Sequence, residues 1–272
     1  LYRHLDLFKA QAPDRFQVFG GVDWSQWKTM GLRFPDWAAE RLMVQKAAGA
    51  QGLKIWKPFG LEVKDEDDRL VKVDDPRLKP LWAAAGELGL PVLIHVADPL
   101  AFFDPIDATN ERWEELAAHP EWAFTSPPYP AFLDILNAFF RLVKAHPGTT
   151  FIGAHVGCYA EDLGWVGAML DACPNYHIDL SARLGDLGRQ PYSARRFLIR
   201  YQDRVLFGSD VGPDLDAYRL AYRFLETDDE YFNYNLSEVP GQGRWYVHGL
   251  HLPDEVLQKL YFTNAKTLLS GT

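Results

Sequence analysis

Several things are scarce in this sequence. Cysteine occurs twice in 272 residues, at Cys158 and Cys173, and neither belongs to a C-x-x-C pair. That argues against a disulfide framework and a zinc knuckle, and it fits a reducing, cytoplasmic location. No apolar run reaches the ~18 residues that a bilayer span requires, so no membrane association is expected. The 28 Lys and Arg are outnumbered by 37 Asp and Glu, for a net charge of −9. With no basic stripe, nucleic acid is not an expected partner. Low-complexity linkers and repeats of about 20–50 residues are absent, so residues 1–272 read as one domain. The first residues as given do not read as a signal peptide, and they do not begin with methionine. No G-x-G-x-x-G or G-x-x-x-x-G-K turn follows an apolar run, which weakens the case for a nucleotide-binding sheet.

What is present is an alternation. Short apolar runs occur at RFQVFGGV (15–22), QGLKIW (51–56), PVLIHV (91–96), TTFIGAHV (149–156), NYHIDL (175–180) and RVLFGSDV (204–211). Several lack clean polar alternation, which predicts strands covered on both faces. Helix-period segments lie between them. Asp75 and Pro76 suit an N-cap and first helical position. Leu78, Leu81, Trp82, Ala85 and Leu88 then share a face, and Gly89 stops the helix. Over 35–49, Trp37, Val44 and Ala48 share a face. Phe132, Ile135, Leu136 and Phe139 form a further stripe, and Pro253 opens a helix carrying Val256, Leu257, Leu260 and Tyr261. A β-α-β-α order predicts a parallel α/β sheet with right-handed crossovers.

Polar residues at strand ends favour a barrel over an open sheet. His95 ends PVLIH, His155 ends TTFIGAH and Asp210 ends RVLFGSD. In a parallel barrel these ends open on one face, where catalytic groups collect. One strand-end histidine is most often structural; three polar groups at the ends of three strands, in the right order, form a pattern. Two imidazoles and a carboxylate suit Zn²⁺, with Mn²⁺ the alternative. His4, His119, His146, His248 and His251 lie in loop or helical contexts and read as surface or packing residues, and His177 as structural.

At this point the chain resembles the amidohydrolase superfamily, in the amidohydrolase-related (amidohydrolase 2) branch that includes aminocarboxymuconate-semialdehyde and γ-resorcylate decarboxylases. The resemblance rests on GLKIW (52–56), PVLIHVADP (91–99), HPGTTFIGAHVG (146–157), PNYHIDLSAR (174–183), RVLFGSDVGP (204–213) and LPDEVLQKLYFTNAKTLL (252–269). It implies a TIM-type (β/α)8 barrel with one divalent metal at its mouth. It also implies His95 as a metal ligand, Asp210 as a ligand or holder of a metal-bound water, and His155 as the acid/base. Lys54 would bind a substrate carboxylate or make a structural ion pair, with Trp56 and Lys57 beside it and able to line the pocket. Arg183 suits an anionic group through paired hydrogen bonds. Asp23 and Asp98 are candidate partners for cationic groups. Phe102, Phe103 and Tyr129, with the aromatic segment 226–250, would cover the site or make an interface.

One element of the pattern is missing. The family carries H-x-H, or a carboxylate variant, at the end of its first strand, and the only early histidine, His4, lies in a helical context. Six strand–helix units are visible, matching units three to eight. The expectation is an N-terminally incomplete barrel that binds metal weakly, having two ligands where catalytic zinc sites have three. A metal-dependent hydrolase acting on a small organic carboxylate or aromatic is the leading expectation. A non-oxidative decarboxylase is the alternative, and a barrel without catalysis the third. Self-association into a homo-oligomer is a further expectation.

Overall fold

A computed structural model describes residues 1–235 and 241–269. Six strands form one parallel sheet in sequential order: β1 (Gly20–Gly21), β2 (Leu53–Ile55), β3 (Val92–Ile94), β4 (Phe151–Gly153), β5 (Tyr176–Asp179) and β6 (Val205–Leu206). Sequential parallel strands with helices between them are the wall of a (β/α) barrel. Among the described residues β1 and β6 do not pair with each other. The free edge of β1 is capped by a side chain. Gln45 accepts from Gly21 N–H and donates to Gly21 C=O, both at 2.9 Å, so that residue's backbone groups are satisfied without a further strand.

The register separates two faces. Leu53, Val92, Phe151 and Tyr176 stand side by side and are fully buried. They face Leu81, Trp82, Leu136 and Phe139 of the helices Lys79–Glu87 and Phe132–Ala145 within one apolar core. On the opposite face Lys54, Leu93, Ile152 and His177 form the adjacent row, and three of these four are only half-buried. The expectation of two equally dry faces therefore holds on the helix side alone. A strand residue alternates sides, and the inner row includes a lysine and a histidine.

The helix Phe34–Ala47 buries Phe34, Ala38 and Leu42 and leaves Val44 exposed. The buried face is thus Phe34, Ala38, Ala39 and Leu42, large and small residues together, whereas the expected stripe of Trp37, Val44 and Ala48 is half-buried or exposed. The segment after Pro253 is helical in pieces, Asp254–Gln258, a π-turn Lys259–Thr263 and Asn264–Leu269. His4 is exposed in the short helix Tyr2–His4. His119 and His251 are exposed too, and His146 and His248 half-buried. No helix among the described residues is long and apolar enough to cross a membrane.

Two long excursions interrupt the alternation of strands and helices. Residues 97–130 carry Leu100–Phe103, Trp113–Ala118 and Pro120–Trp122. Residues 226–250 carry a two-stranded hairpin, β7 (Phe232–Asn233) and β8 (Tyr246–Val247); the part of this segment at 236–240 lies outside the described residues. Phe102 is buried, and Phe103 and Tyr129 pack on Phe124. These three rings build the core of the excursion and do not line the cleft described next.

Candidate active site

The strand ends deliver three of the expected side chains to one place. His95 follows β3 directly. His155 is the second residue after β4, in a tight turn, and Asp210 lies four residues beyond β6 in a loop. The His95 and His155 rings meet edge to face with centroids 4.5 Å apart, and His155 Nε2 is 4.0 Å from Asp210 Oδ2. A cleft of about 330 Å³ opens beside them, at the small end of the range for small-molecule sites. Lys54, His155, Asp179, Ser181 and Asp210 form its polar side, and Leu93, Ile152 and Leu206 are among its apolar lining.

His155 is held in an unusual backbone. His155, Val156, Gly157 and Cys158 all have positive φ, at 59°, 58°, 66° and 63°. Consecutive left-handed residues cost roughly 1–2 kcal/mol each for residues with a Cβ. At Gly157 a Cβ would lie 2.3 Å from the Tyr176 hydroxyl, so only glycine fits there. The turn is anchored by His155 N–H, which donates to Asp179 Oδ1 at 3.0 Å. The ring's Nδ1 lies 3.0 Å from Ser181 O and 2.8 Å from Ser181 Oγ.

His95 is placed differently. Its Nε2 is buried without a hydrogen bond and sits 3.4 Å from Asp98 Oδ1. Asp98 receives a 2.7 Å bond from Lys57 Nζ. Burial alone would raise the Asp98 carboxyl, but the adjacent His95 and Lys57 outweigh it and hold it well below the usual carboxylate range. Asp23 instead caps the turn Trp24–Gln26 by accepting from Ser25.

The other sequence candidates divide. Lys54 reaches the cleft and has no ion-pair partner among the described residues; its Nζ lies 5.0 Å over the Trp56 ring. Burial lowers its pKa, against the opposing pull of Asp179 and Asp210. Trp56 itself is 63% exposed and is not on the cleft wall. Arg183 is buried, with its Nε unbonded, and lies 3.9 Å from Asp186. Sequence reasoning missed Asp179, whose carboxylate organises His155. The signal was available in HIDLS, where Asp179 shares strand parity with His177.

The histidines make the fold acid-sensitive. Burial, with Arg183 and His95 nearby, pushes His155 down to about 2. Burial and Arg204 push His177 down to about 4. Both would take up a proton near pH 6.5 when unfolded. The unfolded chain therefore binds more protons below that pH, and stability falls as pH drops from about 6.5 towards 4. The thermal midpoint at pH 5 should lie below that at pH 7.5, and His177→Gln should narrow the gap. A midpoint unchanged or higher at pH 5 would contradict this.

Among the described residues no group of three or more His, Cys, Asp or Glu side chains is arranged to hold an ion. His95 and Asp210 are two donors, the Nδ1 of His155 is engaged by Ser181, and a catalytic zinc site has three protein ligands. The donors present do not make a metal centre by themselves.

The comparisons with known proteins agree with this architecture. No curated protein matches the sequence. Among solved structures, 2,6-dihydroxybenzoate decarboxylase from Rhizobium is similar with a TM-score of 0.59 and 19% identity, covering 99% of this chain and 75% of that one. A dihydroxybenzoic acid decarboxylase from Polaromonas, with bound manganese and the inhibitor 2-nitroresorcinol, gives 0.57 and 17%, covering 99% and 73%. 5-Carboxyvanillate decarboxylase from Sphingomonas paucimobilis gives 0.54 and 15%, covering 99% and 71%. At these identities the likeness is one of fold, the TIM-type barrel. The amidohydrolase model described as Amidohydro_2 matches residues 10–270, and the chain therefore belongs to the amidohydrolase family of enzymes.

Proposed function

We propose that the chain catalyses non-oxidative decarboxylation of a hydroxylated aromatic carboxylic acid. The observation that carries this is the meeting of one cation, Lys54, with a neutral imidazole, His155, in a single cleft that is otherwise largely apolar. Among the described residues Lys54 enters the cleft without an ion-pair partner, although Asp179 and Asp210 line the same cleft, and the buried Arg183 is close enough to act on His155, which is neutral. Lys54 and Arg183 suit the substrate carboxylate, and the apolar lining suits an aromatic ring. The solved neighbours named above, three decarboxylases of benzoate-type acids, support this over the hydrolase expectation.

The chemistry is an exchange of CO₂ for a proton. His155 Nε2 takes up a proton, which a bound carboxylate favours by its negative charge. It passes that proton to the ring carbon bearing the carboxylate. The carbon–carbon bond then breaks, its electron pair returns to the ring, and CO₂ leaves. A divalent ion at the mouth, Zn²⁺ by the donor types or Mn²⁺ as in one neighbour, would have His95 and Asp210 here, two donors of the three a catalytic zinc site uses. Hydrolysis is the second reading, because an unprotonated Nε2 is also a base for water.

The test uses 2,6-dihydroxybenzoate and 5-carboxyvanillate in D₂O, with and without added Mn²⁺ or Zn²⁺. The expected result is CO₂ release with one solvent deuterium at the vacated ring carbon. Cleavage of esters or amides without CO₂ from any hydroxybenzoate would favour hydrolysis. No turnover of either class would favour the barrel without catalysis.

A further inference from the structure

Two residues outside the expected catalytic set control which nitrogen of His155 faces the cleft. We propose that Asp179 and Ser181 are positioning residues that fix His155 as the Nδ1–H tautomer and leave Nε2 as the nitrogen that exchanges a proton with substrate. This rests on the reading that His155 carries that proton.

The assignment follows from which atoms own hydrogens. Ser181 O lies 3.0 Å from Nδ1, and a carbonyl oxygen can only accept. Nδ1 must therefore donate. Ser181 Oγ lies 2.8 Å from the same Nδ1 and 2.5 Å from Asp179 Oδ1. The hydroxyl has one hydrogen and the ionised carboxylate none. That hydrogen goes to Asp179, so Oγ also accepts from Nδ1. Two independent contacts give the same tautomer. The opposite one would set the Nδ1 lone pair against a carbonyl oxygen and leave the hydroxyl oxygen without its donor.

Asp179 does more than orient the hydroxyl. Its Oδ1 also accepts from His155 N–H at 3.0 Å and from Ser181 N–H at 2.9 Å. One carboxylate oxygen thus joins the left-handed turn after β4 to the end of β5. It fixes the ring's base and the ring's acceptor relative to each other. The Nε2 atom is left pointing to the cleft, with Asp210 Oδ2 4.0 Å away, beyond hydrogen-bond reach.

Nitrogen-15 NMR of chain labelled at histidine, at a single pH of 7.5, reads the tautomer without any need for activity. In the wild type the His155 Nδ1 signal should be of the protonated, pyrrole type and Nε2 of the unprotonated, pyridine type. Ser181→Ala should move both towards the averaged values of a mixed tautomer and lower kcat about tenfold with KM little changed, the equivalent of one hydrogen bond. Ser181→Thr should restore both readouts. Asp179→Asn, as the second variant, should shift the same two signals. A wild-type His155 protonated at Nε2 would overturn the proposal, as would signals unchanged in both Ser181→Ala and Asp179→Asn. Wild-type decarboxylation with the opposite tautomer would reject the positioning role alone. The expected tautomer in a chain that releases no CO₂ would reject the functional reading and leave the assignment of the hydrogens standing.

Discussion

Arg112→Met is expected to destabilise the chain by about 3 kcal/mol, the low end of the range for leaving a buried charge without its partner. Arg112 and the Asp186 side chain are almost wholly buried, and they form a paired contact at 2.9 and 3.0 Å. Arg112 also donates to Glu115 at 3.0 Å, and its guanidinium lies near the Trp245 and Phe102 rings. Methionine would fill much of the volume but leave two carboxylates behind. Arg189, 3.1 Å from Asp186, compensates in part, which is why the low end applies. The double variant Arg112→Met/Asp186→Leu should be less destabilised than the sum of the two single changes, because it removes both ends of the pair. Urea unfolding at constant m would measure this. A loss below about 1 kcal/mol, or strict additivity in the double variant, would show that the pair is not a unit.

That pair also shows what the sequence could not reveal. Arg112 and Asp186 are 74 positions apart, and nothing in the local pattern of ERWEEL or RLGDLG marks them as partners. The strand set was legible because period and composition are local properties. The meeting of His95 with His155, and of His155 with Asp210, followed from it, since parallel strands put their C-terminal ends on one side. The extent of the strands was not legible. Asp210 belongs to a loop because β6 ends at Leu206, and the apolar run through Phe207 continues only as chain packed on Tyr218, Tyr222 and Tyr261. Trp56 was expected beside Lys54 near the strand end. The strand stops at Ile55, so the alternation that would have carried it inward no longer applies. The left-handed turn at His155 was invisible for a related reason. Its φ values are set by Asp179 and Tyr176, on another strand, and only Gly157 carries a local hint.

That turn decides how the acid/base reading should be tested. Alanine at position 155 would remove the ring but leave a residue poorly suited to a φ of 59°. Asparagine tolerates this region better than most residues and has no nitrogen that titrates near neutral pH. His155→Asn should therefore keep the turn, the Asp179 contact to its backbone N–H and a thermal midpoint close to wild type. Turnover should fall by about 10²–10⁴-fold, the usual contribution of a placed acid or base. The loss should lie in kcat with KM nearly unchanged, because the substrate carboxylate is held by Lys54 and Arg183 under the proposed function. Lys54→Met gives the reverse pattern, a raised KM with a smaller change in kcat. Rates of CO₂ release across a substrate series separate the two. Turnover in His155→Asn within about threefold of wild type would remove His155 from the reaction. A large loss accompanied by an equally large fall in the thermal midpoint would assign the effect to the turn instead of the proton.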